Sequence, residues 1–279
     1  MRRSNIIKLY GCSFTNWGRS RTWAQEVKRR YKNNFLIKNY GRPGSSNDEQ
    51  LDIVLSSIPE INKKKKYIYI IQLTGLERVV VDKKKSPTIR GVFKDLKFNW
   101  LSPYANSGNS EKIDAFWENY FKKEWTPEKH LNNLFSKILK IQKSLDTFQN
   151  VEYVFFLGWD IFCLRSGSLH SMWEKETRYI NNESKLLIEE YPECKKLWSE
   201  INLEKFWFFE NEKVKFGGLT QWVQYNLEPV SWWRDYENND FHPSASAHEE
   251  FAKNVIIPIV EDAILKIKIE QTYPSKWKG

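Results

Sequence analysis

Short apolar runs along the chain alternate with longer stretches in which apolar residues return every three or four positions. The runs Ile6-Ile7-Lys8-Leu9-Tyr10, Phe35-Leu36-Ile37, Tyr67-Ile68-Tyr69-Ile70-Ile71 and Val151-Glu152-Tyr153-Val154-Phe155-Phe156-Leu157 are short and rich in β-branched and aromatic residues. They predict strands over residues 5–10, 34–39, 66–73 and 151–158, with a fifth near Phe206-Trp207-Phe208-Phe209. Helices are predicted over Trp23 to Tyr31, Asp48 to Ser57, Pro127 to Leu145 and Ala245 to Ile267. Thr126-Pro127-Glu128 marks one start, with threonine as cap and proline in the first turn. Pro258 predicts a kink or split in the last helix, because it has no N–H and its ring collides with the preceding turn. Strands alternating with helices give a parallel sheet joined by right-handed crossovers, with helices on both faces.

Chemistry-bearing residues fall where this pattern breaks. The first strand stops at Gly11-Cys12-Ser13-Phe14-Thr15, and Asn239-Asp240-Phe241-His242-Pro243-Ser244 stands just before the last helix. A serine hydroxyl attacks only when an imidazole takes its proton, and a carboxylate that fixes the imidazole's tautomer stabilises its charged form. Ser13, His242 and Asp240 supply these three parts. Gly11 permits a tight turn that stands Ser13 at the carboxyl edge of the sheet, where open α/β folds bind ligands. After the second strand, Asn39-Tyr40-Gly41-Arg42-Pro43-Gly44-Ser45-Ser46-Asn47 reads as a glycine-rich loop entering a helix capped by Ser45 or Ser46. Backbone N–H groups there favour negative charge, as an oxyanion hole requires.

In this order, the three segments resemble the SGNH or GDSL hydrolase family. Gly11-Cys12-Ser13 is similar to the block carrying the nucleophile, and Asn39 through Gly44 to the block whose last glycine donates a backbone N–H. The resemblance implies that Gly44 and Ser13 hold the oxyanion, and that Asp240 to Pro243 forms the last block, continued by the helix with His248. It also implies a three-layer α/β/α, flavodoxin-like fold with a mainly parallel five-stranded sheet, no cofactor and no metal. A Gly-Cys-Ser-Phe-Thr start with a His-Pro-Ser end is familiar from phage and bacterial proteins, which points to a viral source.

Two positions depart from the family pattern. The acid usually stands three residues before the histidine, where this chain has Asn239, and Asp240 stands two before. The third block usually supplies an asparagine to the oxyanion hole, whereas the third strand here ends in Gln72-Leu73-Thr74-Gly75-Leu76-Glu77-Arg78. Thr74 and Arg78 are the substitute donors, and Arg78 alternatively pairs with Glu77.

Composition narrows the partners. With 279 residues, the chain suits one domain, since its nucleophile and base come from opposite ends and must meet. Residues 79–125 and 159–235 are expected as insertions at the carboxyl edge of the sheet, forming pocket walls and setting substrate choice. The net charge is +9, yet Lys63 to Lys66 and Lys83 to Lys85 lie in turn-like contexts without a nucleic-acid recognition motif, so solvated lysine loops are expected. Three cysteines, Cys12, Cys163 and Cys194, fit neither a disulfide scaffold nor a zinc site, and Cys12 is expected to face the core as Ser13 faces the site. No run reaches membrane length and Met1-Arg2-Arg3 opens no signal peptide, which predicts a soluble protein made in the cytoplasm and virion-associated if viral.

Aromatic residues are abundant, with 13 Trp, 13 Tyr and 17 Phe. Most must pack inside. Trp17, Trp232 and Trp233, near the catalytic candidates, are placed to stack on a sugar ring. The sequence reading is therefore an esterase acting on an acylated small molecule or glycan, by hydrolysis or by acyl transfer. A non-catalytic glycan-binding or virion structural protein on the same fold is the alternative.

Overall fold

The computed structural model describes residues 5–16, 21–76, 79–82, 98–101, 126–164, 185–212, 214–235 and 240–272. In chain order the N-terminal half contains β1 (Asn5–Tyr10), α1 (Trp23–Tyr31), β2 (Phe35–Asn39), α2 (Asn47–Ser57), β3 (Lys66–Leu73), a hairpin of β4 (Val79–Asp82) and β5 (Phe98–Leu101), and α3 (Pro127–Leu145). There follow β6 (Val151–Leu157), β7 (Cys163–Leu164), β8 (Lys185–Leu186), α4 (Leu187–Glu190), α5 (Pro192–Glu200), β9 (Phe206–Trp207) and α6 (Leu219–Asn226). The chain closes with β10 (Trp233–Asp235), β11 (Asp240–Pro243), α7 (Ala245–Phe251), a π-helical turn over Ala252–Ile256, and α8 (Ile257–Thr272).

Five strands form one sheet in the order β2-β1-β3-β6-β9, all parallel. Chain order along the sheet reverses between β1 and β3, so their carboxyl ends flank the crevice in which doubly wound sheets hold ligands. The α1, α7 and α8 helices cover one face and α2, α3 and α5 the other, giving three layers. Central β3 is buried along nearly its whole length, as a strand covered on both faces must be, while edge strand β2 leaves Leu36 exposed.

Aromatic side chains bind the layers together. Trp23 of α1 meets Phe156 of β6 edge-on, and Phe251 packs against Phe156, Trp207 and Trp222. On the other face Phe135, Phe162, Trp198 and Phe206 form a second cluster, to which the predicted insertion contributes Phe162, Trp198 and Phe206. The fifth sheet strand, shorter than the expected run, divides that stretch in two, and Phe209 forms only an isolated bridge to Gly217.

Boundaries agree closely with the sequence pattern for α3, capped by Thr126. The last helix splits as Pro258 predicts. Its i−4 carbonyl belongs to Asn254, and the backbone widens into the π-helical turn immediately before the proline. One buried charge interrupts β1. Lys8 donates to the Ser57 carbonyl at 3.1 Å and the Tyr69 hydroxyl at 3.2 Å, and burial pulls its pKa down to about 8. Most of the first expected insertion lies outside the described residues, as do Trp17, Arg78 and Asn239.

Candidate active site

Ser13 stands on a turn immediately beyond β1, in which the N–H groups of Thr15 and Asn16 both donate to the Cys12 carbonyl, at 3.0 and 3.1 Å. The turn is tied to four neighbouring segments. Gly11 receives Arg42 N–H and Ser45 Oγ on its carbonyl at 2.9 and 3.0 Å, and its own N–H donates to Gln50 Oε1 at 3.1 Å. Thr15 donates its hydroxyl to Gln72 Oε1 at 2.5 Å, and its carbonyl accepts from Thr22 Oγ1 and Asn39 Nδ2. Gly11 has φ +149°, and a Cβ there would come within 2.2 Å of Thr15 Oγ1. No larger residue fits without moving the turn.

Cys12 is buried and its thiol accepts from Gln72 Nε2 at 3.6 Å, so the sulfur is engaged with β3. Ser13 is also buried, but it touches the base. His242 Nε2 lies 2.9 Å from Ser13 Oγ, across 229 positions of sequence. The histidine arrives on β11, an antiparallel partner of β10 outside the main sheet, with Trp233 opposite Pro243 and Asp235 opposite Asp240. Ser244 seats the strand's end. Its N–H donates to the Trp232 carbonyl at 3.0 Å, its hydroxyl donates to the Ser231 carbonyl at 2.5 Å, and the same hydroxyl caps α7 at Ala247 N–H.

Phe14 supports the imidazole from the side. Its ring meets His242 edge-on at 5.6 Å, and also meets His248 and Trp159. His248 of α7 is fully buried, and burial, then the neighbouring His242, pushes its pKa down to about 3. It therefore remains neutral beside the reacting pair. Its Nδ1 has no hydrogen-bond partner among the described residues.

Two further segments approach the carboxyl ends of β1 and β3. Gly44 occupies the left-handed region at φ +76° in the loop before α2, whose first turn is capped by Ser46 on Glu49 N–H. Asn47 clasps the backbone of Thr74, accepting its N–H and donating to its carbonyl, both at 2.7 Å. The Thr74 hydroxyl is buried without a partner among the described residues.

A cavity of about 280 Å³ opens beside the serine, and its wall includes Ser13, Arg21, Thr22, Arg234, His242 and His248. Of the aromatic residues expected there, Trp232 is committed to packing, with its N–H on the Leu227 carbonyl at 2.8 Å, and the half-buried Trp233 lies against it. Neither borders this cavity. Asp240 is placed by its backbone in β11, and its side chain lies outside the described atoms. Sequence reasoning missed Arg21, Thr22, Arg234, Phe14 and the Asn47 clasp. Phe14 follows the serine directly, and Arg234 follows the tryptophan pair, but neither residue type announces a role without the fold.

No family model matches the sequence, and no curated protein matches it. Among solved structures the chain is similar to protein YxiM of Bacillus subtilis, with 12% identity over 95% of this chain and a TM-score of 0.47. The chain spans only 58% of YxiM's length. It is also similar to the psychrotrophic esterase EstA of Pseudoalteromonas, at 9% identity and TM-score 0.41 over 94% of this chain and 98% of that one. The SGNH-hydrolase family esterase AlinE4 aligns over 56% of this chain and 59% of its own, at 14% identity and TM-score 0.29. Likenesses at this level leave the functional reading to the geometry of the site itself. Among the described residues no helix is long and apolar enough to cross a membrane.

Proposed function

We propose that the protein is a serine ester hydrolase of the SGNH type, and the observation that carries this reading is the 2.9 Å approach of His242 Nε2 to Ser13 Oγ. Ser13 Oγ adds to the ester carbonyl carbon as His242 takes the hydroxyl proton. The tetrahedral oxyanion collapses, the alcohol leaves with that proton, and water repeats the sequence on the acyl-serine to release the acid. Asp240, two residues before His242 on one strand, is the carboxylate that orients the imidazole, since strand alternation returns every second residue to one face. The oxyanion is held by the N–H groups of Ser13 and Gly44. The Thr74 hydroxyl acts as third donor in place of the family's asparagine, a role its lack of another partner supports.

The substrate is an acyl ester, with an acylated glycan as its natural form. A sugar hydroxyl replacing water as acceptor would make the same machinery an acyltransferase. Hydrolysis of p-nitrophenyl acetate tests the proposal. Wild type should turn over the ester, and Ser13→Ala should lose about a thousandfold or more in kcat. If the folded wild type hydrolyses no short ester, the glycan-binding or virion structural reading gains, to which Asn239 at the usual acid position already inclines.

A further inference from the structure

We infer that His248 recognises a free hydroxyl on the alcohol half of the substrate, next to the ester oxygen, so that the enzyme selects esters of a vicinal diol, as a partly acylated sugar ring presents. The inference rests on the esterase reading and names the chemistry that sets its substrate choice. Most polar groups on the wall of the reacting cavity are already satisfied. Thr22 Oγ1 donates to the Thr15 carbonyl at 2.9 Å, the Ser244 hydroxyl donates to the Ser231 carbonyl, and His242 is bound to Ser13. Arg21 pairs with Glu249, and Arg234 is likewise engaged. Among the described residues of that wall, His248 alone keeps a buried side-chain polar atom, Nδ1, without a hydrogen-bond partner.

A purely structural role does not call for histidine at this place. The residue is 3% exposed and its ring packs edge-on against Phe14, a contact that a phenylalanine would make without burying an unpaired polar atom. An imidazole nitrogen buried without a partner costs stability, and a ligand that supplies the missing bond offsets the cost. Position tells which part of the ligand does so. His242 returns its proton to the departing alcohol oxygen, so the alcohol half of the ester lies on the His242 side of Ser13. His248 stands on that side. The Phe14 ring meets both imidazoles, at 5.6 Å for His242 and 6.1 Å for His248, and both border the same cavity as the Ser13 hydroxyl. Burial keeps His248 neutral. A neutral imidazole pairs with a hydroxyl whichever nitrogen bears the proton, because each group both donates and accepts. An alkyl group in the same place would leave the ring unpaired.

The test compares kcat/KM for 2-hydroxyethyl acetate and propyl acetate, each divided by that ester's own rate of hydroxide hydrolysis to remove intrinsic reactivity. Wild type, His248→Phe and His248→Gln are assayed, with circular dichroism establishing that each is folded. Wild type should prefer the hydroxylated ester by about tenfold, the gain expected from one uncharged hydrogen bond. The preference should fall toward one in His248→Phe, whereas His248→Gln, which keeps a hydrogen-bonding side chain, should retain part of it. A wild type that hydrolyses both esters equally overturns the inference while leaving the esterase reading intact. So does a preference that survives undiminished in His248→Phe, the result a merely structural role would give. Turnover of p-nitrophenyl acetate without turnover of 2-hydroxyethyl acetate has the same consequence. Absence of turnover of all three esters in folded wild type refutes the esterase reading itself, and this inference with it.

Discussion

The two halves of the reacting pair are supported in different ways. Ser13 sits at the end of a central strand, on a turn linked by hydrogen bonds to β3, α2, the residues before α1 and the Asn39 to Ser45 loop. His242 arrives on a two-stranded hairpin outside the sheet, seated by Ser244 and by the edge of the Phe14 ring. The nucleophile's position is thus a property of the core, and the base's position a property of a local attachment. Substitutions on the first side should cost stability together with rate, whereas on the second they should cost mostly rate.

The largest effect is expected at the hydroxyl where the halves meet. His242→Ala should lower kcat for p-nitrophenyl acetate by about a thousandfold or more with little change in melting temperature, because the imidazole belongs to the attachment. On the core side, Gly11→Ala forces its methyl against Thr15 and Gln72 at a positive φ. It should cost on the order of 3 kcal/mol, read as a fall in Tm of about 6 °C or more, together with lost activity. Asn47→Ala removes two buried bonds to the Thr74 backbone. It should cost roughly 2 kcal/mol by denaturant titration, and it should slow catalysis if Thr74 serves the oxyanion.

A graded effect is expected with pH. His248 has a folded pKa of about 3 against an ordinary 6.5, so the unfolded chain binds its proton first. The stability it contributes is complete above about 6.5 and is lost as pH falls toward 3, with a slope of at most ~1.4 kcal/mol per pH unit. A His248→Phe chain should show a flatter fall in Tm over that window. The smallest change is Ser244→Ala on the hairpin side, where loss of a helix cap should cost about 1 kcal/mol. A larger loss there, equal to that at Gly11, would break the contrast between core-held and attached halves.

The fold was readable because its sheet is parallel and buried, so Tyr67 to Ile71 and Val151 to Leu157 stand out as nearly unbroken apolar runs between amphipathic helices. The helix after Thr126 was readable to the residue because cap and proline are local signals. The short β9 was overextended, since Phe208 and Phe209 are aromatic for packing with Phe216 and Tyr225, and not for strand pairing. At the site, Ser13 and His242 could be singled out by residue type and by resemblance. The Arg21 and Arg234 wall could not, because it juxtaposes surface charges separated by most of the chain. Trp232 was drawn toward the substrate by its proximity to Asp240, yet its indole N–H is satisfied within its own loop by Leu227.

The most direct measurement is to treat the folded protein with a fluorophosphonate and map the adduct by mass spectrometry. A nucleophile activated across the sheet edge predicts one phosphonylated peptide, containing Ser13, whose labelling is abolished in Ser13→Ala and strongly slowed in His242→Ala. No adduct on folded wild type, or labelling of Ser13 at an undiminished rate without His242, would contradict the account.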